Sequence, residues 1–182
     1  MQRRKFLTVS SLALAMGTVP EGKAKSTSAN SFIVKAKEAR FGVHTPFMGV
    51  NPNDVKISGK DTYGQLAVFE YIGTQKVGPS LHVHFYQDEI FTVVEGEYLF
   101  QVADKKDILK AGDTIFLPRQ VPHTWIQLSE LGKLIYFLQP AGKMEEFFAM
   151  MSNFKEKPSA EEMDKIHAAH GMKVVGPPLS LK

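Results

Sequence analysis

Four residues have the types and spacing for chemistry: His82, His84, Glu89 and His123. His82 and His84 are two apart, so on a β-strand both imidazoles leave the same face. Glu89 lies five residues past His84, an odd step that on one straight strand sends it to the other face. A turn around Gln87 and Asp88 would resolve this by placing Glu89 at the start of a neighbouring strand, beside the two histidines. His123 follows Pro122, which pins the backbone just ahead of it. Enough chain separates it from His84 for a hairpin and return strands to close a barrel. Inside such a barrel, imidazoles and a carboxylate are costly unless each has a partner. One shared divalent cation partners all four, and histidine with carboxylate favours manganese, iron, nickel, copper or zinc over calcium. A His-x-His pair alone is commonly just two residues of a strand. Joined to Glu89, a Gly112-Asp113 turn and the Pro122-His123 step, it points to a metal.

The elements that must position these side chains are legible as short β-type runs between turn residues. They are expected at 32–35, 65–72, 80–85, 90–94, 98–102, 107–109, 114–117, 123–128 and 133–139. Tyr98, Phe100 and Val102 alternate with Leu99, Gln101 and Ala103, and Glu95-Gly96-Glu97 supplies a tight connection before them. Many short strands at this spacing predict an all-β sandwich or small barrel. Leu81, Val83 and Phe85 then face outward from the histidine strand. After Pro140 the period changes. Met144, Phe147, Phe148 and Met151 fall at i, i+3, i+4 and i+7, one stripe of a helix suited to core packing or a dimer interface. A second helix is expected from Ser159, which with Glu162 forms a capping box, to about His170, where Gly171 stops it.

Other residues have ordinary readings beside functional ones. Trp125 and Phe116 suit core packing better than an aromatic pocket. Asp88 suits a turn better than support of a metal ligand, and Tyr86 is either a substrate contact or half-buried surface. His44, His167 and His170 are read as surface histidines.

Composition narrows the function classes. A chain of 182 residues with 43% hydrophobic and 23% charged residues has the makings of one globular core. With no cysteine, disulfides, thiolate catalysis, Cys-ligated zinc and lipid attachment at a cysteine are excluded. The net charge of +3 belongs to the first 24 residues, where Arg3, Arg4, Lys5 and Lys23 face Glu21 alone. The remainder is neutral, which gives no steering toward phosphate backbones, so nucleic acid is not an expected partner. A positive start, an apolar stretch from Phe6 to Val19 and small residues at Gly22, Ala24, Thr27 and Ala29 make the three-part layout of a secretory signal. Arg3-Arg4-x-Phe-Leu is similar to a twin-arginine signal, with Gln2 in place of the usual Ser or Thr. The expected layout is a leader over 1–24 cleaved near 24–29, a tether over 25–31, a barrel over 32–140 and a helical extension over 141–182. The mature protein would be periplasmic or secreted, off the membrane.

Gly78, His82, His84, Glu89 and Gly96, then Gly112, Pro118 and His123, match the two motifs of the cupin superfamily, which residues 65–140 resemble. Gln120 stands where the family has glycine, and Gln127 where it often has asparagine. The resemblance implies a double-stranded β-helix, a cupin jelly-roll barrel, holding one divalent metal through His82, His84, Glu89 and His123. The Pro140-Ala-Gly step, the Phe-rich helix and the terminal Val-Gly-Pro-Pro-Leu look like single-domain cupins of the quercetin dioxygenase-like group. That group implies a dioxygenase acting on a small hydroxylated aromatic or enol compound chelated to the metal. Glu89 is then a fourth ligand or a base for the substrate hydroxyl. A non-redox isomerase or lyase and a non-catalytic binding protein remain alternatives, and the family tendency is toward a homodimer.

Overall fold

A computed structural model of the chain describes residues 31–156 and 158–181. The leader, its cleavage position and nearly all of the tether lie outside the described residues. Ten strands and two helices follow one another as β1 (Asn53–Ile57), β2 (Ala67–Gly73), β3 (Ser80–His84), β4 (Asp88–Glu95), β5 (Glu97–Val102), β6 (Lys105–Lys110), β7 (Thr114–Leu117), β8 (His123–Gln127), β9 (Gly132–Gln139), α1 (Met144–Asn153), α2 (Ala160–Ala169) and β10 (Met172–Pro178). They form two antiparallel five-stranded sheets, ordered β1-β2-β9-β4-β7 and β10-β3-β8-β5-β6. This is the all-β jelly-roll expected, with two C-terminal helices.

The strands expected from residue 65 onward are all present. No strand forms at 32–35. Instead Phe32 lies under the Arg40 guanidinium, 3.8 Å from its ring centre, and Arg40 pairs with Asp61 at 2.9 Å. The first strand is β1, whose Asn53 and Asp54 are poor strand formers that masked it. Both side chains are buried with partners: Asn53 accepts the Tyr136 hydroxyl at 2.7 Å, and Asp54 meets His44 Nδ1 at 2.9 Å. The other unforeseen strand is β10. Its Gly176, Pro177 and Pro178 read as a tail, but an edge strand with register shifts at Val174, Gly176 and Pro178 tolerates them.

Period-two alternation places Ala67, Phe69 and Tyr71 of β2, Phe91 and Val93 of β4, and Leu134, Tyr136 and Leu138 of β9 on one inner face. Tyr98 and Phe100 of β5 and Trp125 of β8 fill the facing side. Phe91 and Phe69 stack on Tyr136 with ring centres 4.8 and 5.0 Å apart, and Phe47 stacks on Trp125 at 5.6 Å. Each such ring, fully buried, contributes about 1.5–3 kcal/mol of transfer free energy. Trp125 is therefore core, as expected, whereas Phe116 is 57% exposed and belongs neither to the core nor to a pocket. It points out of β7 because the inward positions of that strand are taken by its neighbours, Leu117 among them.

The α1 stripe also goes inward: Met144 is buried, and Phe147 and Phe148 pack against the core. Glu145 ties the helix down by accepting from Ser58 Oγ at 2.8 Å and Gly59 N at 2.6 Å. The capping box at Ser159 and Glu162 forms with both arms in place, and α2 ends at Gly171 with φ of 74°. His167 and His170 are not surface residues; both are buried. Their Nδ1 atoms donate to the carbonyls of Met163 and Ile166 in α2 at 2.7 Å, and the rings flank Phe147. His44 is the exposed one of the three, with 58% of its side chain accessible.

Candidate metal centre

His82 and His84 leave β3 on the same inner face, as the two-residue spacing requires. His123 opens β8 and sits directly across from His82 in the ladder. Glu89 arrives differently from the expectation. The bend falls at Phe85 and Tyr86, not at Gln87 and Asp88. It carries the chain to the opposite sheet, so Glu89 on β4 faces the histidines across the barrel, with Leu117 and Leu138 on its flanks. The odd spacing is resolved by a change of sheet rather than by an adjacent strand.

The four donor atoms lie within 4.8 Å of one another. His82 Nε2 is 3.2 Å from His84 Nε2, His84 Nε2 is 3.6 Å from Glu89 Oε1, and His123 Nε2 is 3.0 Å from Glu89 Oε2. Donors bound at about 2.0–2.2 Å around one ion stand roughly 3 Å apart when adjacent, so these edges suit a transition metal. His84, Glu89 and His123 are buried, and His82 is the one member with partial solvent contact.

The orientation of the rings is held from behind. His82 Nδ1 faces the Ser80 carbonyl at 2.8 Å, and His123 Nδ1 faces the Val121 carbonyl at 3.0 Å. A carbonyl can only accept, so each Nδ1 carries hydrogen and each Nε2 is left for the centre. His84 Nδ1 meets a side chain instead, Gln87 Oε1, at 3.4 Å. In the sequence Gln87 was read only as part of a turn, because a Gln just past a bend carries no signal of a contact to a ligand.

Protonation follows burial and charge. Burial, reinforced by the neighbouring His123 and His84, pushes His82 down to about 3. His84 is also lowered, chiefly by burial. Burial alone would raise Glu89, but His84 and the His123 hydrogen bond outweigh it and hold the carboxyl at about 2. His82 and His84 are thus kept neutral and Glu89 ionised, the forms in which they can hold a cation. Three nitrogen donors converging with one carboxylate is a fit for a divalent transition ion.

The surrounding residues settle several expectations. Asp88 serves neither a turn nor a ligand directly. It accepts from Arg119 N, Nε and Nη2 at 2.8, 3.0 and 2.6 Å, locking β4 to the loop that leads into His123. Gln120, in that loop, adopts φ of 66° and donates its N–H to the His84 carbonyl at 2.7 Å. The tight turn that glycine would make is thus kept by glutamine. Gln127 is fully buried and donates through Nε2 to the carbonyls of Gly73 and Ser129 at 3.2 and 2.9 Å. Tyr86 is 68% exposed and lies against Gly171. On the outer face Val83 is buried, Leu81 packs against Gly176, and Phe85 is exposed at the bend.

Residues 68–137 match a family described as "Cupin domain". An uncharacterized protein of Methanocaldococcus jannaschii is 40% identical over 43 residues, which cover 24% of this chain and 34% of that protein. The chain thus spans about a third of that relative's length. Among solved structures, an RmlC-like cupin from Shewanella frigidimarina superposes with a TM-score of 0.53 at 20% identity, covering 64% of this chain and 96% of the other. KdgF from Halomonas sp. gives 0.52 at 17% identity, covering 61% and 94%. A predicted oxalate decarboxylase from Thermotoga maritima gives 0.50 at 14%, covering 60% and 99%. At these identities the likenesses speak to the fold.

Proposed function

We propose, from the premise that this barrel is a cupin, that His82, His84, Glu89 and His123 bind one divalent transition metal and that the protein is a dioxygenase-like oxidoreductase. The observation that carries the metal site is the convergence of three Nε2 atoms and a carboxylate, with each imidazole turned by an acceptor behind its Nδ1. The substrate class is a small hydroxylated aromatic or enol compound with adjacent oxygen atoms. A bound ion would polarise those oxygens and, if redox-active, support oxygen addition. The chain's own residues do the rest. The histidines would orient the centre, Glu89, anionic before the step, would take the substrate hydroxyl proton at a carboxylate oxygen and become the neutral acid as the substrate becomes the anion, and the aromatic interior would keep bulk water from that proton. Approach is from the His82 side, where the cluster meets solvent. The reading includes export of the mature domain by the twin-arginine route and a homodimeric assembly.

One observation favours a second reading. Trp125, Phe91, Phe100 and Tyr98 fill the barrel interior, which restricts the size of any substrate. A non-catalytic cupin that holds metal and a small ligand suits such a site, as does a non-redox isomerase or lyase. Metal analysis of protein taken from its own compartment should find one ion per chain, and replacing both His82 and His84 by alanine should remove it. Metal content unchanged in that variant would overturn the site. Reconstituted protein should consume oxygen with a flavonol, catechol or β-dicarbonyl. Silence across that panel with every candidate metal favours the binding protein, and turnover without oxygen favours the isomerase.

A further inference from the structure

His82 and His123 are anchored to backbone carbonyls two residues before themselves. His84 has no such carbonyl. The acceptor facing its Nδ1 is Gln87 Oε1, and Gln87 is itself 2% exposed, in the segment that crosses from β3 to β4. The other end of that amide is fixed independently: Gln87 Nε2 donates to the Ala141 carbonyl at 2.8 Å. A carbonyl only accepts, so the NH₂ must point to Ala141 and the oxygen to His84. Gly142 makes room for this. A Cβ at that position would lie 2.2 Å from Gln87 Nε2, and Gly142 adopts φ of 57°.

We propose that Gln87 is a positioning residue that holds His84 with hydrogen on Nδ1 and Nε2 turned to the centre, its amide oxygen being aimed at His84 because the Ala141 carbonyl takes the NH₂ end. The proposal rests on the metal-site reading above. Three histidines then have three separate anchors, of which one is a removable side chain. An amide is required for both contacts. A carboxylate keeps the acceptor for His84 and loses the donor to Ala141, while a thioether of similar length loses both.

Two variants of the full chain separate positioning from packing. Gln87→Met keeps volume and apolar contact, so a purely structural role predicts wild-type behaviour for it and damage from the buried charge of Gln87→Glu. The positioning role predicts the reverse order. Cobalt(II) titration followed by visible absorption should show Gln87→Met binding at least about tenfold more weakly than wild type, with Gln87→Glu close to wild type. Nitrogen-15 spectra of the metal-free imidazoles should show His84 as the Nδ1–H tautomer in wild type and in Gln87→Glu, and mixed in Gln87→Met. Equal affinity and equal tautomer in wild type and Gln87→Met would overturn the proposal. If wild type takes up no cobalt while the tautomer still depends on residue 87, the metal reading fails and the positioning role stands.

Discussion

Burial keeps His82 neutral while the neighbouring imidazoles keep Glu89 ionised against the effect of burial, and acid sensitivity follows. An unfolded His82 takes up a proton as pH falls through 6.5, whereas the folded one stays neutral down to about 3. Between those values the unfolded state binds more protons, so the stability present above pH 6.5 drains away on acidification. Glu89 adds a further loss between its ordinary 4.5 and about 2. The melting temperature of metal-free protein should therefore fall steadily from pH 7 to pH 5, and His82→Gln should flatten part of that slope. A level profile over this range would contradict the lowered protonation of His82. The four cluster residues were legible in the sequence because a His-x-His pair, a carboxylate and a Pro-His step are rare in combination. Gln87 and the burial of His167 and His170 were not. Their roles depend on carbonyls of Ala141, Met163 and Ile166, which only the folded backbone brings within reach.

Among the elements, the loop between β7 and β8 stores strain. Gln120 sits at φ of 66°, a conformation that costs a residue with a Cβ roughly 1–2 kcal/mol. The turn survives because its N–H reaches the His84 carbonyl and Asp88 grips Arg119 one residue earlier. Gln120→Gly should raise stability by roughly 0.5–1 kcal/mol, the relieved strain less the greater entropy of an unfolded glycine. Denaturant midpoints at unchanged slope would measure it, and a lower midpoint would show that the side chain holds the loop in another way. Strands rich in alternating apolar residues, β5 and β9 above all, could be read directly. Strand β1 could not, since Asn53 and Asp54 are poor strand formers whose buried oxygens find partners in Tyr136 and His44 only in the folded chain. Strand β10 could not either, because a Gly-Pro-Pro segment becomes a strand only where an edge with shifted register accepts it.

For the whole molecule, β10 decides where the barrel ends. It pairs along β3, with Met172 opposite His84 and Val174 opposite His82, and Met172 is buried in the core. Without it, β3 becomes an open edge with unpaired backbone groups, the usual invitation to aggregation. A chain ending after Gly171 should melt at lower temperature and scatter light at concentrations where the intact chain does not. Unaltered melting and scattering would mean that β10 is an ornament of the sheet. The segment after residue 140 is therefore less an appendage than the closing strand of the histidine sheet, with α1 packed on the core and α2 against α1.

The passage of Glu89 to the sheet facing the histidines has a mechanical consequence. Three donors stand on β3 and β8 and the fourth on β4, so an ion at the centre fastens one leaf of the sandwich to the other, as a rivet joins two plates. Separating the leaves then means breaking coordination as well as exposing the aromatic interior. Occupancy would stabilise the fold in proportion to the logarithm of free ion over its dissociation constant. The ion that would serve the chemistry is in this way also a fastener of the barrel.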